Sequence, residues 1–260
     1  MPFRPAPLRP RDARERMRHE RRRDEIRKRR VRRAAITGGI ALALAGNVVL
    51  TVMVRANRAS DDRPVVTPAG VTDQAGLVIS VGRADAPAVM TIYEDLRCPG
   101  CARIERTLHE TINRLEDAGK LRVDYHILSF VDRIVPGEGS RRAANALAAA
   151  QDAGRFRAYH DVLYAHPPVA EDVDTFGDKD LLLKLAQKVG LSGERFTAAV
   201  REGTHDTWVA EVQRAFDQQD EIQGTPALLF KGHDLLKDPE SLSPERLTTL
   251  VEQEVTAHGT

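Results

Sequence analysis

The sequence predicts an α/β fold with an inserted all-helical subdomain, preceded by one transmembrane helix. Three observations predict it. An uncharged stretch of 21 residues follows a basic N-terminus, strand patterns form two groups far apart in the chain, and only helical patterns lie between those groups. The first group of strands flanks a helix, and a strand–helix–strand connection of this kind is typical of parallel pairing in α/β folds.

The N-terminus is predicted to be a basic cytoplasmic arm followed by a membrane anchor. Residues 1–33 carry fifteen Arg and Lys and five acidic residues, although the whole chain has a net charge of only +1. Residues 34–54 have no charged side chain and are long enough to cross a hydrocarbon core of roughly 30 Å. Positive charge stays on the cytoplasmic side, so we expect a single-pass protein of the cell membrane with its remaining residues outside the cytoplasm.

Two other interpretations of the N-terminus are weaker. A cleaved signal peptide has a short basic region and small residues at its cleavage site, whereas this basic region is long and arginines follow the uncharged stretch. Basic arms also bind nucleic acid. The adjoining span favours a charge cluster that faces lipid, so we expect no nucleic-acid partner.

The exported part is predicted to consist of a linker and a split fold. Residues 55–75 are rich in small, polar and proline residues, which is typical of a linker. Residues 76–133 form the first half of the fold. Its patterns are, in order, strands over 77–81 and 89–93, a helix that ends near 118, and a strand over 121–127.

The helical insertion is predicted over 134–221, and the second half of the fold over 222–260. The insertion contains helical patterns over 141–153, 156–164 and 180–189, followed by two helices that Ser192 and Thr204 could cap. The second half contains strands over 227–230 and 233–236 and a helix that starts at 243–244.

Cys98 and Cys101 are the only cysteines in the chain, and they lie between a strand and a helix. If Cys98 is the N-cap, Pro99 occupies the first helical position, where its missing N–H costs nothing. The partial positive charge of the helix N-terminus would stabilise a thiolate at Cys98. A disulfide that closes so short a ring restricts the unfolded chain very little. The pair therefore indicates dithiol–disulfide chemistry.

Three segments together resemble the DsbA-like thiol:disulfide oxidoreductases, a family with a thioredoxin fold and a helical insertion. The resemblance runs from about Leu77 to Val255 and points to the membrane-anchored bacterial type. The segments are Ala86-Pro87-Ala88-Val89 leading to Tyr93-Glu94-Asp95-Leu96-Arg97-Cys98-Pro99-Gly100-Cys101, the helix Phe156…Tyr159-His160…Leu163-Tyr164, and Gly224-Thr225-Pro226-Ala227 before a strand.

The resemblance implies disulfide formation in exported proteins. Cys98 would be the exposed, attacked sulfur and Cys101 its buried partner, with Pro99, Gly100, Thr225 and Pro226 supporting the site. It further implies a cis Thr225–Pro226 bond, which would leave the Thr225 backbone free to pair with a substrate chain. We expect no cofactor besides the Cys98–Cys101 disulfide, no metal, exported thiol-containing proteins as substrates, a membrane protein as reoxidant and a monomeric enzyme.

The sequence departs from the family pattern at two points. The Pro99-Gly100 dipeptide lacks the histidine that helps to stabilise the thiolate in the best-known members, and Arg97 is the nearest cation, although it could simply be solvated. Ile92 stands where many relatives have a buried acid that relays protons. Glu94 or Asp95 could accept a proton from Cys101 instead, and strand alternation would put these two residues on opposite faces.

Three alternatives remain open from sequence alone. A disulfide reductase or isomerase uses the same dithiol, although only a short linker precedes the fold and no dimerisation domain is evident. A non-catalytic membrane-tethered adaptor could retain the cysteines as an inert bridge. A metal site is the third, but one CxxC supplies two ligands where structural zinc needs four. We therefore interpret the scattered histidines as surface or packing residues: His109, His126, His160 and His233.

Overall fold

A computed structural model describes residues 63–71, 73–237 and 242–258. The predicted basic arm at 1–33 and the predicted anchor at 34–54 lie outside these residues. Within the described ranges, no helix is both long enough and apolar enough to span a bilayer.

The predicted α/β fold with a helical insertion is confirmed. The sheet has five strands in the order β1-β3-β2-β4-β5. The parallel pair β2–β3 is connected by helix α1, as the sequence predicts, and β4 pairs antiparallel with β2. The strands and the connecting helix are β1 Ile79–Val81, β2 Ala88–Glu94, α1 Pro99–Asp117, β3 Leu121–Ile127, β4 Ala227–Phe230 and β5 His233–Asp234.

Helix α1 covers the central strands with the apolar face that its periodicity predicts. Ile104, Leu108, Ile112 and Leu115 are all buried. Every second residue of β2 and β3 is also buried, because successive side chains of a strand point to opposite faces. On β2 this buried series ends with Glu94, so a carboxyl group lies on an otherwise apolar face.

The helical insertion packs around one alanine-rich helix. Its helices are α2 Val131–Ile134, α3 Gly139–Asp152, α4 Phe156–Tyr164, α5 Lys179–Gln187, α6 Glu194–Glu202 and α7 Asp206–Asp217. Ten of the fourteen residues of α3 are buried, since its small side chains allow α4, α6 and α7 to approach closely. The short α2 was not predicted, because four residues carry no helical periodicity.

Two predicted helix caps are wrong. Gly193 and His205 are the N-caps of α6 and α7, and neither cap makes a side-chain hydrogen bond. Ser192 and Thr204 each lie one residue too early for that position. The last predicted strand is also shorter than expected, because Leu235–Lys237 forms a 3-10 turn. The C-terminal helix α8, Pro244–His258, packs against α1 through the buried Leu247 and Val251.

Part of the segment predicted as a linker lies against the insertion. The Thr207 hydroxyl donates to the Pro64 carbonyl at 3.0 Å. Directly after the segment, the Trp208 indole N–H donates to the Gly76 carbonyl at 2.7 Å. The His205 Nδ1 atom lies 2.7 Å from the Val66 carbonyl oxygen. The composition of the segment does not predict such contacts, because the segment contributes only backbone carbonyls to these bonds. The side chains that bond to those carbonyls come from α7 and its N-cap.

Candidate active site

Cys98 and Cys101 lie at the N-terminus of α1, as predicted. Cys98 is the N-cap and Pro99 occupies the first turn. The Cys101 backbone N–H points at the Cys98 sulfur, with an N–Sγ distance of 3.4 Å. Both cysteines are free thiols. Cys98 is the more accessible of the two, but only 6% of its surface is exposed, against 1% for Cys101, so it is more enclosed than expected.

The loop that enters β4 supplies the opposite wall of the site. The Thr225–Pro226 peptide bond is cis, as the resemblance implies. The Cys98 thiol donates to the Thr225 carbonyl at 3.4 Å. A Cβ atom on Gly100 would lie 2.9 Å from Pro226 Cδ, so glycine at this position permits the close approach of the proline ring. Tertiary packing thus joins residues that are 127 positions apart.

The two thiols differ sharply in acidity. Hydrogen bonds from the Cys101 thiol and from backbone N–H groups of the first helical turn lower the pKa of Cys98 to about 6, although burial acts against them. Burial raises the pKa of Cys101 well above its ordinary value, and the adjacent Cys98 sulfur raises it further. A thiolate is the reactive form of cysteine. These opposite shifts favour a thiolate at Cys98 and a protonated thiol at Cys101.

Arg97 does not stabilise the thiolate and is not solvated. Its side chain is completely buried and points away from the cysteines into the insertion. The guanidinium donates to Asp132 at 2.6 Å and lies 3.5 Å from Asp174. It also donates to the Glu171 carbonyl at 3.0 Å. Arg97 therefore fixes the cysteine loop to the helical insertion.

Asp95 has a similar connecting role. Strand β2 ends at Glu94, so the predicted alternation does not extend to Asp95, and both carboxyl groups are buried. The Asp95 carboxylate accepts bonds from the Arg97 N–H, the Val131 N–H and the Ser140 hydroxyl. Burial nevertheless raises its pKa to about 7. Because both Asp95 oxygens already accept these hydrogen bonds, Asp95 is a poor candidate for accepting a proton from Cys101.

Glu94 influences Cys101 through its charge. Its negative charge contributes to the raised pKa of that thiol. One Glu94 oxygen lies 2.7 Å from His160 Nε2. The interpretation of His160 as a surface or packing residue is incomplete. Its ring does pack on Phe156 and Tyr164, but its nitrogens face carboxylates.

The other three histidines fit the interpretation as surface or packing residues. His126 stacks on Tyr93 with ring centroids 4.2 Å apart, and burial lowers its pKa to about 4. His109 is half-buried and bonds to the Glu105 carbonyl on its own helix, and His233 is exposed.

A family model described as thioredoxin matches residues 74–253. The chain belongs to this family. The match covers the strands, the cysteine pair and the whole insertion, which are the parts that build the site.

Solved structures identify the branch of the family. DsbG from Mycobacterium tuberculosis, a disulfide bond oxidoreductase in its reduced form, is 25% identical, with 70% of this chain and 88% of that chain covered and a TM-score of 0.60. The thiol-disulfide oxidoreductase MdbA from Actinomyces oris is 26% identical, with 72% and 92% covered and a TM-score of 0.60. Oxidised DsbA from M. tuberculosis is 24% identical, with 68% of this chain and 92% of that chain covered, and it shares the fold with a TM-score of 0.58. The chain is DsbA-like.

Curated relatives include two longer proteins. The Na⁺/H⁺ antiporter NhaA 3 from Salinispora tropica is 28% identical over 155 residues, which are 58% of this chain and 21% of the antiporter. The antiporter NhaA 1 from Salinispora arenicola is 28% identical over 151 residues, with the same shares. The chain thus spans about a fifth of the length of these relatives.

Proposed function

We propose that this DsbA-like chain is a membrane-anchored, extracytoplasmic thiol:disulfide oxidoreductase that forms disulfides in exported proteins. The observation that carries the proposal is the contrast between Cys98, whose pKa is lowered to about 6, and the buried Cys101, whose pKa is raised. A bridge that served only as a structural brace would have no need of this asymmetry.

The reaction is a two-step exchange. A substrate thiolate attacks Cys98 Sγ of the oxidised enzyme, the Cys98–Cys101 bond breaks, and Cys101 leaves and takes up a proton. A second substrate thiolate then attacks the substrate sulfur of the mixed disulfide, and Cys98 leaves as a thiolate. Two electrons pass from substrate to enzyme, and the substrate gains one disulfide. The Thr225 carbonyl, 3.4 Å from Cys98 Sγ, is placed to accept a bond from the substrate backbone during attack.

The oxidising direction is supported by the same asymmetry. A stabilised thiolate favours the reduced enzyme, and an enzyme whose reduced form is favoured is a strong oxidant. We expect a reduction potential that is less negative than the roughly −270 mV of thioredoxin, and a value at or below that of thioredoxin would instead support a reductase. Equilibration with glutathione buffers measures this potential directly.

Substrate capture tests the reaction itself. In a Cys101→Ser variant, Cys98 can still form a mixed disulfide, but the enzyme cannot release it by closing its own bridge. Non-reducing electrophoresis of cells that express this variant should show adducts with exported proteins, and the adducts should disappear on reduction. A Cys98→Ser/Cys101→Ser variant is the control. If the two variants give the same bands, the adaptor hypothesis is favoured and the proposed activity is refuted.

The location rests on the sequence of the N-terminus. The uncharged residues 34–54 after a basic arm support a single-pass anchor with the catalytic domain outside the cytoplasm. Alkaline extraction should leave the protein in the membrane fraction, and a thiol reagent that cannot cross membranes should label Cys98 in intact spheroplasts. Release by alkali, or labelling only after lysis, would contradict this part of the proposal.

We also propose a monomeric enzyme that a membrane redox protein reoxidises. Sedimentation in detergent tests the first point. The second predicts that reduced enzyme accumulates when quinone turnover in the membrane is blocked. Continued reoxidation under that block would exclude a quinone-linked partner.

A further inference from the structure

A group of buried ionisable side chains lies between the sheet, α1 and α4. Glu94 comes from the end of β2, Glu105 from the second turn of α1 and His160 from the middle of α4. We call these three residues the acid–histidine cluster. Each is at most 3% exposed, which is unusual for glutamate, because an unpaired charge in a dry interior is costly. The dithiol reaction proposed above does not use Glu105 or His160.

The geometry of the cluster is that of a set of metal ligands. One donor atom from each residue lies within 4.8 Å of the donor atoms of the other two. Glu94 Oε1 and His160 Nε2 are 2.7 Å apart. A cation that replaced the proton between these two atoms would bind each of them at roughly 2.0–2.2 Å, so the two atoms would have to move apart by under about 1 Å. The three ligands come from three packed elements, which hold them in position without a bound ion.

The other nitrogen of His160 has the partner that metal-binding histidines usually have. His160 Nδ1 lies 3.6 Å from a carboxylate oxygen of Asp161. A carboxylate on this side of the imidazole favours a proton at Nδ1, which leaves Nε2 as the nitrogen that would bind the ion. The amide of Asn113 donates to the other Asp161 oxygen at 3.0 Å and fixes that carboxylate in turn.

An independent observation points to a missing ligand. Among the described residues, Glu105 Oε1 has no hydrogen-bond partner although it is buried. Glu116, also buried, has one oxygen in the same condition, while Arg157 lies 3.4 Å from its other oxygen. Buried carboxylate oxygens are normally satisfied, and each exception requires an explanation. A bound cation would give Glu105 Oε1 the partner that it lacks.

One edge of the cluster borders a pocket. A pocket of about 130 Å³ is lined by Glu105, Asp161 and Tyr164 together with Arg106, His109 and Ala165. Glu105 therefore borders both the cluster and the pocket. The pocket is therefore the side from which an ion would enter the cluster.

We propose that Glu94, Glu105 and His160 bind one divalent transition-metal ion, with Asp161 orienting His160. The mixed nitrogen and carboxylate ligand set suits Zn²⁺ or Mn²⁺ and is less suited to Ca²⁺, which takes six to eight oxygen ligands. Glu94 also influences Cys101 through its charge, but neither thiol is a proposed ligand, so ion binding does not depend on the proposed oxidase activity.

Calorimetry with the full-length, untagged protein in detergent tests the proposal. Cys98→Ser/Cys101→Ser is the background, because thiols bind Zn²⁺ themselves. Titration with ZnCl₂ and with MnCl₂ should show one ion per chain and a raised unfolding temperature, and CaCl₂ should bind at least tenfold more weakly than ZnCl₂. No binding of either transition metal, or equal binding of calcium, would overturn the proposal.

A matched pair of variants locates the site. Glu105→Gln keeps the shape of the side chain and removes a ligand, and should weaken Zn²⁺ binding at least roughly tenfold. Glu110→Gln makes the same change at an exposed position on the same helix and should leave binding unchanged. Equal affinities in the two variants would place the ion elsewhere and refute the assignment. Circular dichroism of both variants shows that they are folded.

Discussion

The titration of Cys98 is the most direct consequence of the structure. Its pKa lies about three units below the ordinary value of 9.0, because donors at the N-terminus of α1 stabilise the thiolate. Three units correspond to about 4 kcal/mol in favour of the reduced protein when the pH is above about 9. The oxidised protein has no thiolate and does not gain this free energy.

The size of the effect at neutral pH follows from the same two values. A lowered pKa gives its full stabilisation above the ordinary pKa, and the stabilisation is lost as the pH falls through the folded pKa. At about pH 7, a thiol with a pKa of about 6 is roughly 90% ionised, so the reduced form gains about a factor of ten. That factor equals about 1.4 kcal/mol, or about 30 mV in a two-electron couple.

Two measurements check this prediction. The ultraviolet absorbance of the thiolate, with Cys98→Ser as the blank, should give a midpoint near about pH 6. The reduction potential should fall by about 59 mV per pH unit below that midpoint and by about 30 mV above it, because Cys101 alone then takes up a proton. A midpoint above about pH 8, or a single slope of 59 mV throughout this range, would refute the assignment of Cys98 as a stabilised thiolate.

Three further predictions concern single side chains. Cys101→Ala removes the strongest donor to the Cys98 thiolate and should raise the pKa of Cys98, whereas Cys101→Ser keeps a donor and should raise that pKa less. The same absorbance titration compares the two variants. Equal pKa values would exclude the Cys101 thiol as a donor. Arg97→Met leaves the partly buried Asp132 and Asp174 without their counter-charge and should cost about 2–3 kcal/mol in urea unfolding. The exposed Arg133→Met should cost less than about 1 kcal/mol. Similar costs for the two variants would contradict the buried role of Arg97. Gly100→Ala forces a Cβ atom against the Pro226 ring and should slow exchange with a model disulfide. Gly193→Ala is the control, because its Cβ meets no atom within 4 Å, and it should leave the rate unchanged. An unchanged rate for both variants would show that the close approach of Pro226 to Gly100 is dispensable.

Local patterns predicted the core of the site. The alternation of β2, the cysteine spacing and the proline after Cys98 place the dithiol at a helix N-terminus, and the structure has it there. These signals are readable because each depends on residues within a few positions of one another. The cis Thr225–Pro226 bond was implied only by resemblance, since no local pattern near residue 225 distinguishes it from an ordinary turn.

Long-range contacts account for what the sequence did not predict. Arg97 directly precedes the cysteine pair, and its position in the sequence predicts a solvated side chain. Its partners in the structure are Asp132 and Asp174, which belong to the insertion and lie at least 35 positions away in sequence. Glu94 and His160 are 66 positions apart, and no spacing in the sequence indicates that they pair. Glu94 on an otherwise apolar strand face was the one available signal, because a carboxyl at such a position requires a partner.

The sequence by itself determined the α/β architecture, the helical insertion and a dithiol whose first cysteine caps a helix, because strand alternation, helical periodicity and capping act over a few residues. Only the tertiary structure decided which buried charges surround that dithiol. Burial and hydrogen-bond partners set the difference in pKa between Cys98 and Cys101. Tertiary packing also places the Arg97 side chain in the insertion, and it leaves one oxygen of Glu105, beside His160, without a hydrogen bond. The free energy of a buried charge depends on atoms brought together from distant parts of the chain, and no local pattern records which atoms those are.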